Sequence, residues 1–246
     1  MNRKNFLINL GLFTYASFLS TYSWSFTPEY DEIMGICRPD TLCTDEIKLR
    51  HEAYDAFYEM YHSALRQGIY IHISSSYRSF YAQQKIWEKK YKQLATKGNV
   101  STEDIVSNIV QYTAIPGTSR HHWGTDFDAV DGMGYLHENP LDTLHYKSSG
   151  DYGYLYHWLT ENAHKYGYHQ VYTLDNKRQG FKFEPWHYSY KPLAVKYLRY
   201  MSQIPFHTLD IYKTIPGSEV FMNENFMKKY IQSHMMGINS QLMYDE

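Results

Sequence analysis

The feature that most constrains this chain is a pair of histidine motifs set far apart. The first runs Ser119, Arg120, His121, His122, Trp123, Gly124, Thr125, Asp126, Phe127, Asp128, and the second is Glu184, Pro185, Trp186, His187. Most of the thirteen histidines need no special role, because a lone imidazole is ordinarily a surface group or a satisfied core residue. Together, however, His121, Asp128 and His187 supply the three protein ligands that a catalytic zinc takes while keeping a fourth position for water. Glu184 is then free to take a proton from that water, the arrangement that peptide-bond hydrolysis requires. Residues three apart on a strand face opposite sides, so Glu184 and His187 converge only if Pro185 bends the backbone.

With 246 residues, 43% of them hydrophobic and 20% charged, the chain suits one well-buried domain. A formal net charge of −2 gives nucleic acid nothing to bind. The 26 tyrosines suit half-buried surfaces and sugar-facing grooves, and most are expected to be structural. Residues 1–25 read as a signal peptide: Arg3 and Lys4 precede an apolar stretch from Phe6 to about Leu19, and Ser23 and Ser25 offer a cleavage site. That stretch, interrupted by Asn9, Thr14 and Ser17, is short for a membrane span of about 20 apolar residues. The expectation is export to the periplasm or cell envelope, with a membrane attachment only if the leader is uncleaved. In such a compartment Cys37 and Cys43 could close a small disulfide loop through Pro39, two free thiols being the alternative.

Periodicity predicts a long helix from about Asp45 to Gln67, with Ala53, Phe57, Met60, Tyr61 and Ala64 at helical spacing and Gly68 ending it. A strand over Ile69 to Ser75 and a helix from Ser79 to about Ala95 follow. Asp126 to Val130 reads as a strand in which Phe127 and Ala129 alternate with aspartates. Tyr154 to Tyr166 reads as an amphipathic helix stopped by Gly167. Two strands then follow, Tyr168 to Tyr172 and Phe181 to Tyr190, joined by a hairpin around Asp175 to Gly180. Strands and helices mix without regular alternation, so the fold class is α+β, a small, largely antiparallel sheet flanked by helices in a single domain. The mature domain is expected over 26–246, its motifs within 45–200. An extension at 204–246 is unassigned beyond a helix around Asn225 to His234.

These motifs resemble the VanY-type zinc D-Ala-D-Ala carboxypeptidases, a family related to the hedgehog metal site. Tyr77, Arg78, Ser79 and Gln83 match its Y-R-S-x-x-x-Q element, Pro116 to Asp128 match P-G-x-S-x-H-x-x-G-x-x-x-D, and Glu184 to His187 match E-x-W-H. The stretch from His157 to Gly167 is similar to the family's helix before the last strands. The resemblance implies a zinc metallopeptidase that removes the C-terminal D-alanine from peptidoglycan stem peptides. It also implies His121, Asp128 and His187 as Zn2+ ligands and Glu184 as the catalytic base acting on zinc-bound water. Arg78, Gln83 and Ser119 are implied as substrate contacts, Arg78 offering a rigid fork of donors to a terminal carboxylate or to the oxyanion of the reaction. An L,D-carboxypeptidase acting on tetrapeptide stems and an inactive wall-binding protein are the alternatives. Many family members carry Ala where this chain has Asp126, on the same strand face as Asp128. The histidine-to-aspartate spacing favours Asp128 as the ligand and Asp126 as a carboxylate that orients ligands. The family register likewise favours His121 over His122.

Overall fold

A computed structural model describes residues 28–43, 46–133 and 137–244; the signal-peptide expectation for residues 1–25 lies outside them. Helix α1 spans Pro28–Ile33 and α2 His51–Leu65, the latter burying Ala53, Phe57, Met60 and Ala64 as its spacing predicts. Strand β1 is Ile71–Ser75. Helix α3, Phe80–Ala95, starts where the Ser79 hydroxyl accepts from the Ala82 N–H, and buries Phe80, Gln83 and Trp87. Helix α4, Thr102–Ile109, was not foreseen, although Ser101 caps it in the same way.

Strand β2 (Asp126–Asp131), helix α5 (Gly153–Asn162), strand β3 (Tyr168–Gln170), strand β4 (His187–Tyr190) and helix α6 (Lys191–Met201) follow. The short helices α7 (Ser218–Phe221) and α8 (Glu224–Tyr230) close the chain, with α8 running on into a wider turn over Ile231–Met235. The expected long strand from Phe181 begins only at His187, because Pro185 and Trp186 form a turn. The pairing order is β1-β2-β4-β3, antiparallel throughout, and the α+β expectation is met. Among the described residues no helix is long and apolar enough to cross a membrane.

Register decides what the sheet presents. Asp128 lies opposite His187 and Asp126 opposite Ser189, while Phe127 lies opposite Tyr188. Because side chains alternate, the first four face one side and Phe127 and Tyr188 the other. There the two rings stack 6.0 Å apart in a core shared with Phe57, Leu155 and Tyr168. Burying an apolar side chain of this size contributes about 1.5–3 kcal/mol, which opposes any slip of the strand.

The second large core joins Trp87, Ile105 and Val106 to residues of the C-terminal segment, among them Phe206, Tyr212, Phe221, Met227 and Leu242. The segment from Ile204 is thus an integral half of a core. Cys37 and Cys43 are free thiols; the Cys43 sulfur is turned onto His51 Nδ1 at 3.1 Å, beside the start of α2.

Candidate active site

On the sheet face they share with the buried Asp126 and Ser189, Asp128 and His187 line a cleft of about 510 Å3. His121 reaches it from the short helical turn Arg120–Trp123. Gly124 ends that turn at φ +68°, and a Cβ there would stand 2.6 Å from a Leu42 methyl, so the tight passage into β2 requires glycine. The loop before His121 is held from the far end of the chain: the Tyr212 hydroxyl donates to the Pro116 carbonyl at 2.9 Å, and the Tyr230 hydroxyl accepts from the Ile115 N–H at 3.2 Å.

The His121, Asp128 and His187 ligand-type atoms all lie within 4.8 Å of one another. His121 Nε2 is 3.4 Å from Asp128 Oδ2, and His187 Nδ1 is 4.0 Å from Asp128 Oδ1. Around a tetrahedral ion with bonds of about 2.0–2.1 Å, ligand atoms stand about 3.4 Å apart, so the donor set fits zinc in kind and in spacing. Both tautomers suit the role. His121 Nδ1 is 2.8 Å from the Ser76 carbonyl, which only accepts, so Nδ1 holds the hydrogen and Nε2 keeps its lone pair. His187 Nε2 donates to Asp126 Oδ2 at 3.0 Å, leaving Nδ1 towards Asp128.

Asp126 is saturated as an acceptor. Arg120 Nε donates to its Oδ2 at 2.9 Å, and the Thr125 and Ser189 hydroxyls to its Oδ1 at 2.6 and 2.7 Å. Burial opposes its charge, yet Arg120 and His187 hold its carboxyl far below the ordinary range. For Asp128 burial is likewise outweighed, by His121, His187 and Arg78. His187 shows the complementary effect: burial would lower it, but hydrogen bonds to Asp126 and Glu184 and the charges around it raise it to about 10. In the metal-free protein Nδ1 therefore carries a proton between Glu184 and Asp128, a place that a bound cation would take over.

Glu184 stands on the Pro185 turn with Oε2 3.0 Å from His187 Nδ1, the convergence that the bend had to produce. Arg78 lines the cleft, its Nη1 donating to Gln83 Oε1 at 2.7 Å and its Nη2 to the Ser75 hydroxyl at 2.9 Å. Burial lowers its pKa, opposed by Asp128 and Glu184. Gln83 also lines the cleft, but with its oxygen on Arg78 and its Nε2 donating to the Ala114 carbonyl at 2.8 Å, its first task is to position the arginine. Ser119 is buried on the cleft wall.

His122 is brought close and turned away. Its Nδ1 is 2.5 Å from the Arg78 carbonyl and its Nε2 accepts from the Gly117 N–H at 3.1 Å, so neither nitrogen is left for a cation, and burial pushes it down to about 3. Trp186 forms part of the cleft wall. Sequence reasoning missed Lys90, whose ammonium enters the cleft and donates to the Thr113 hydroxyl at 2.5 Å. Two turns beyond Gln83 on α3, it shares that residue's face, and this spacing was the available signal. It also missed Tyr172, whose ring meets that of His187 edge-on at 5.2 Å.

Comparison with known proteins places the domain among the carboxypeptidases, a class of hydrolases. Within that class the chain belongs to the VanY D-alanyl-D-alanine carboxypeptidase family, which matches residues 46–193. A D-alanyl-D-alanine carboxypeptidase of Enterococcus faecalis is 30% identical over 133 residues, 54% of this chain and 44% of that protein. YodJ of Bacillus subtilis is 28% identical over 143 residues, 58% of this chain and 46% of that protein. This chain thus spans less than half the length of either relative. A vancomycin-resistance D,D-pentapeptidase VanY crystallised with Zn(II) is similar in structure, with a TM-score of 0.49 and 23% identity over 66% of this chain and 83% of that chain.

Proposed function

We propose that the chain is an exported zinc-dependent carboxypeptidase that removes the C-terminal D-alanine from peptidoglycan stem peptides. The observation that carries this reading is the join between β2 and β4. There Asp128 and His187 lie opposite each other, His121 enters from the preceding turn, and Glu184 Oε2 stands 3.0 Å from the cleft-facing nitrogen of His187. His121 Nε2, Asp128 and His187 Nδ1 would hold the ion. When bound, zinc supplies Lewis acidity, polarising the scissile carbonyl and making water acidic enough to ionise near neutral pH.

The protein's own groups do the rest. Ser76 and Asp126 keep the ligand lone pairs aimed into the cleft. Glu184 takes the proton from the attacking water and returns it to the departing amine of D-alanine. Arg78, steadied by Gln83 and Ser75, receives the negative charge that the peptide brings or develops. Trp186 and Ala114 line the cleft beside these groups.

Digestion of purified pentapeptide and tetrapeptide stems, followed by mass spectrometry with and without chelator, tests the proposal. Release of one D-alanine from the pentapeptide, abolished by chelator and restored by Zn2+, is the expected result. Cleavage of the tetrapeptide alone would make the enzyme an L,D-carboxypeptidase. Binding of both stems with no product would make it a wall-binding protein.

A further inference from the structure

Outside the cleft, His137, His145 and Asp151 bring ligand-type atoms within 4.8 Å of one another. We propose that this group is a second metal site, for a late first-row divalent cation such as Zn2+, Ni2+ or Cu2+, and that its ion ties down the segment walling the cleft. The proposal stands whether or not the cleft holds zinc.

The donors are gathered, and one ring would turn out of the stack to aim its lone pair at a shared ion. The His137 and His145 rings stack with centroids 3.6 Å apart and planes 18° from parallel, and His137 Nε2 lies 2.8 Å from Asp151 Oδ2. His145 Nε2 meets the Asn139 carbonyl at 3.2 Å; the carbonyl only accepts, so Nε2 holds the hydrogen and Nδ1 is the available ligand. Imidazole nitrogens with one carboxylate select zinc, nickel or copper over magnesium or calcium, which prefer all-oxygen sites. The side chains of His137 and Asp151 are 21% and 59% exposed, so a cation can enter from solvent.

The scaffold under these donors is firm. Tyr152 is fully buried, its N–H donates to the His145 carbonyl at 2.8 Å, and its ring lies 5.6 and 5.5 Å from the two imidazoles. The neighbouring Tyr146 hydroxyl donates to the Ala129 carbonyl of β2 at 2.7 Å. Between the two histidines the chain supplies Asn139, Leu141, Asp142 and Thr143 to the cleft wall. An ion bridging His137 and His145 therefore closes a loop whose inner side is that wall.

The experiment uses the untagged full chain, stripped with chelator and dialysed against Zn2+, with metal content and hydrogen exchange as readouts. Two ions per chain are expected in the parent, one in the His137→Ala/His145→Ala double variant and one in His187→Ala. Exchange across residues 137–151 should slow on adding Zn2+ in the parent and in His187→Ala, and stay unchanged in the double variant. A double variant that binds as many ions as the parent overturns the proposal. A parent that binds one ion, lost only in His187→Ala, overturns it too while leaving the cleft reading intact. An ion lost only in the double variant supports the outer site and removes the cleft zinc.

Discussion

The two His–His–Asp clusters among the described residues use the same side chains, and everything around them differs. In the inner one each ligand is less than a tenth exposed, and each imidazole has its outer nitrogen locked, by the Ser76 carbonyl or the Asp126 carboxylate. In the outer one the rings lean on Tyr152, the carboxylate faces solvent, and the Asn139 carbonyl orients His145. Similar donors thus become a deep cage with fixed lone pairs at one place and an open, adaptable group at the other. Burial alone does not set the difference. His122 and His187 are both buried, yet His122, between a carbonyl and an N–H, is pushed down to about 3, while His187, between carboxylates, rises to about 10. What a buried imidazole becomes depends on what its two nitrogens meet.

The sharpest way to break this contrast is Glu184→Gln, which keeps the shape of the inner cage and removes its base. Turnover of stem peptide should fall by about 10²–10⁴-fold, with bound metal retained in elemental analysis. An active variant would show that the cage works without its base.

Next comes Asp126→Ala, which strips His187 of its orienting partner and leaves Arg120 buried without its carboxylate. Chemical denaturation of the metal-free protein should show a loss of about 3–5 kcal/mol, and metal affinity should drop by about 10–100-fold. An unchanged affinity would mean that fixing the lone pair is not what separates inner from outer.

A third environment extends the series to an imidazole whose Nδ1 meets the Ser233 hydroxyl at 2.8 Å. His234 stacks on Tyr230 and meets Phe181 edge-on; its burial, helped by the Arg178 charge, lowers it from 6.5 to about 4. The fold holds this ring neutral, and the unfolded chain protonates first. Its contribution is therefore complete above pH 6.5, shrinks as the pH falls, and reaches its floor below about 4. Melting curves of His234→Gln against the parent should show less acid sensitivity inside that window and parallel behaviour above it.

The smallest effect is expected at the outer cluster without metal. There His145→Ala should change stability by no more than about 0.5 kcal/mol, as measured by denaturant midpoint. A larger cost would assign the stacked rings a structural role.

Much of the fold was legible because it rests on local periodicity. The spacing of Ala53, Phe57, Met60 and Ala64 marked α2, Ser79 marked the start of α3, and the alternation around Phe127 and Ala129 put two aspartates on one strand face. The proposed ligand triplet and Glu184 were legible as motifs, and the structure gathers those side chains into one cleft. The turn at Pro185 was anticipated, although the strand was drawn too early, since six residues of apparent strand pattern could not reveal that only His187 onward finds a pairing partner. Beyond the helix expected around Asn225 to His234, which α8 and its continuation meet, the C-terminal half-core was illegible for a related reason. Its apolar residues sit in short turns and short helices whose pattern means nothing until α3 and α4 are there to cover them.

Sequence by itself therefore determined which residue types could do the chemistry and that Asp126 and Asp128 share a strand face, because side-chain period acts over a few residues. Tertiary structure alone decided that the outer nitrogen of His187 goes to Asp126 while Asp128 faces the cleft. It decided also that His122 is clamped shut and that Cys43 meets His51 in place of Cys37. Each of these is a competition between neighbours of similar chemistry, and it is settled by which distant backbone or charge arrives beside them when the chain packs.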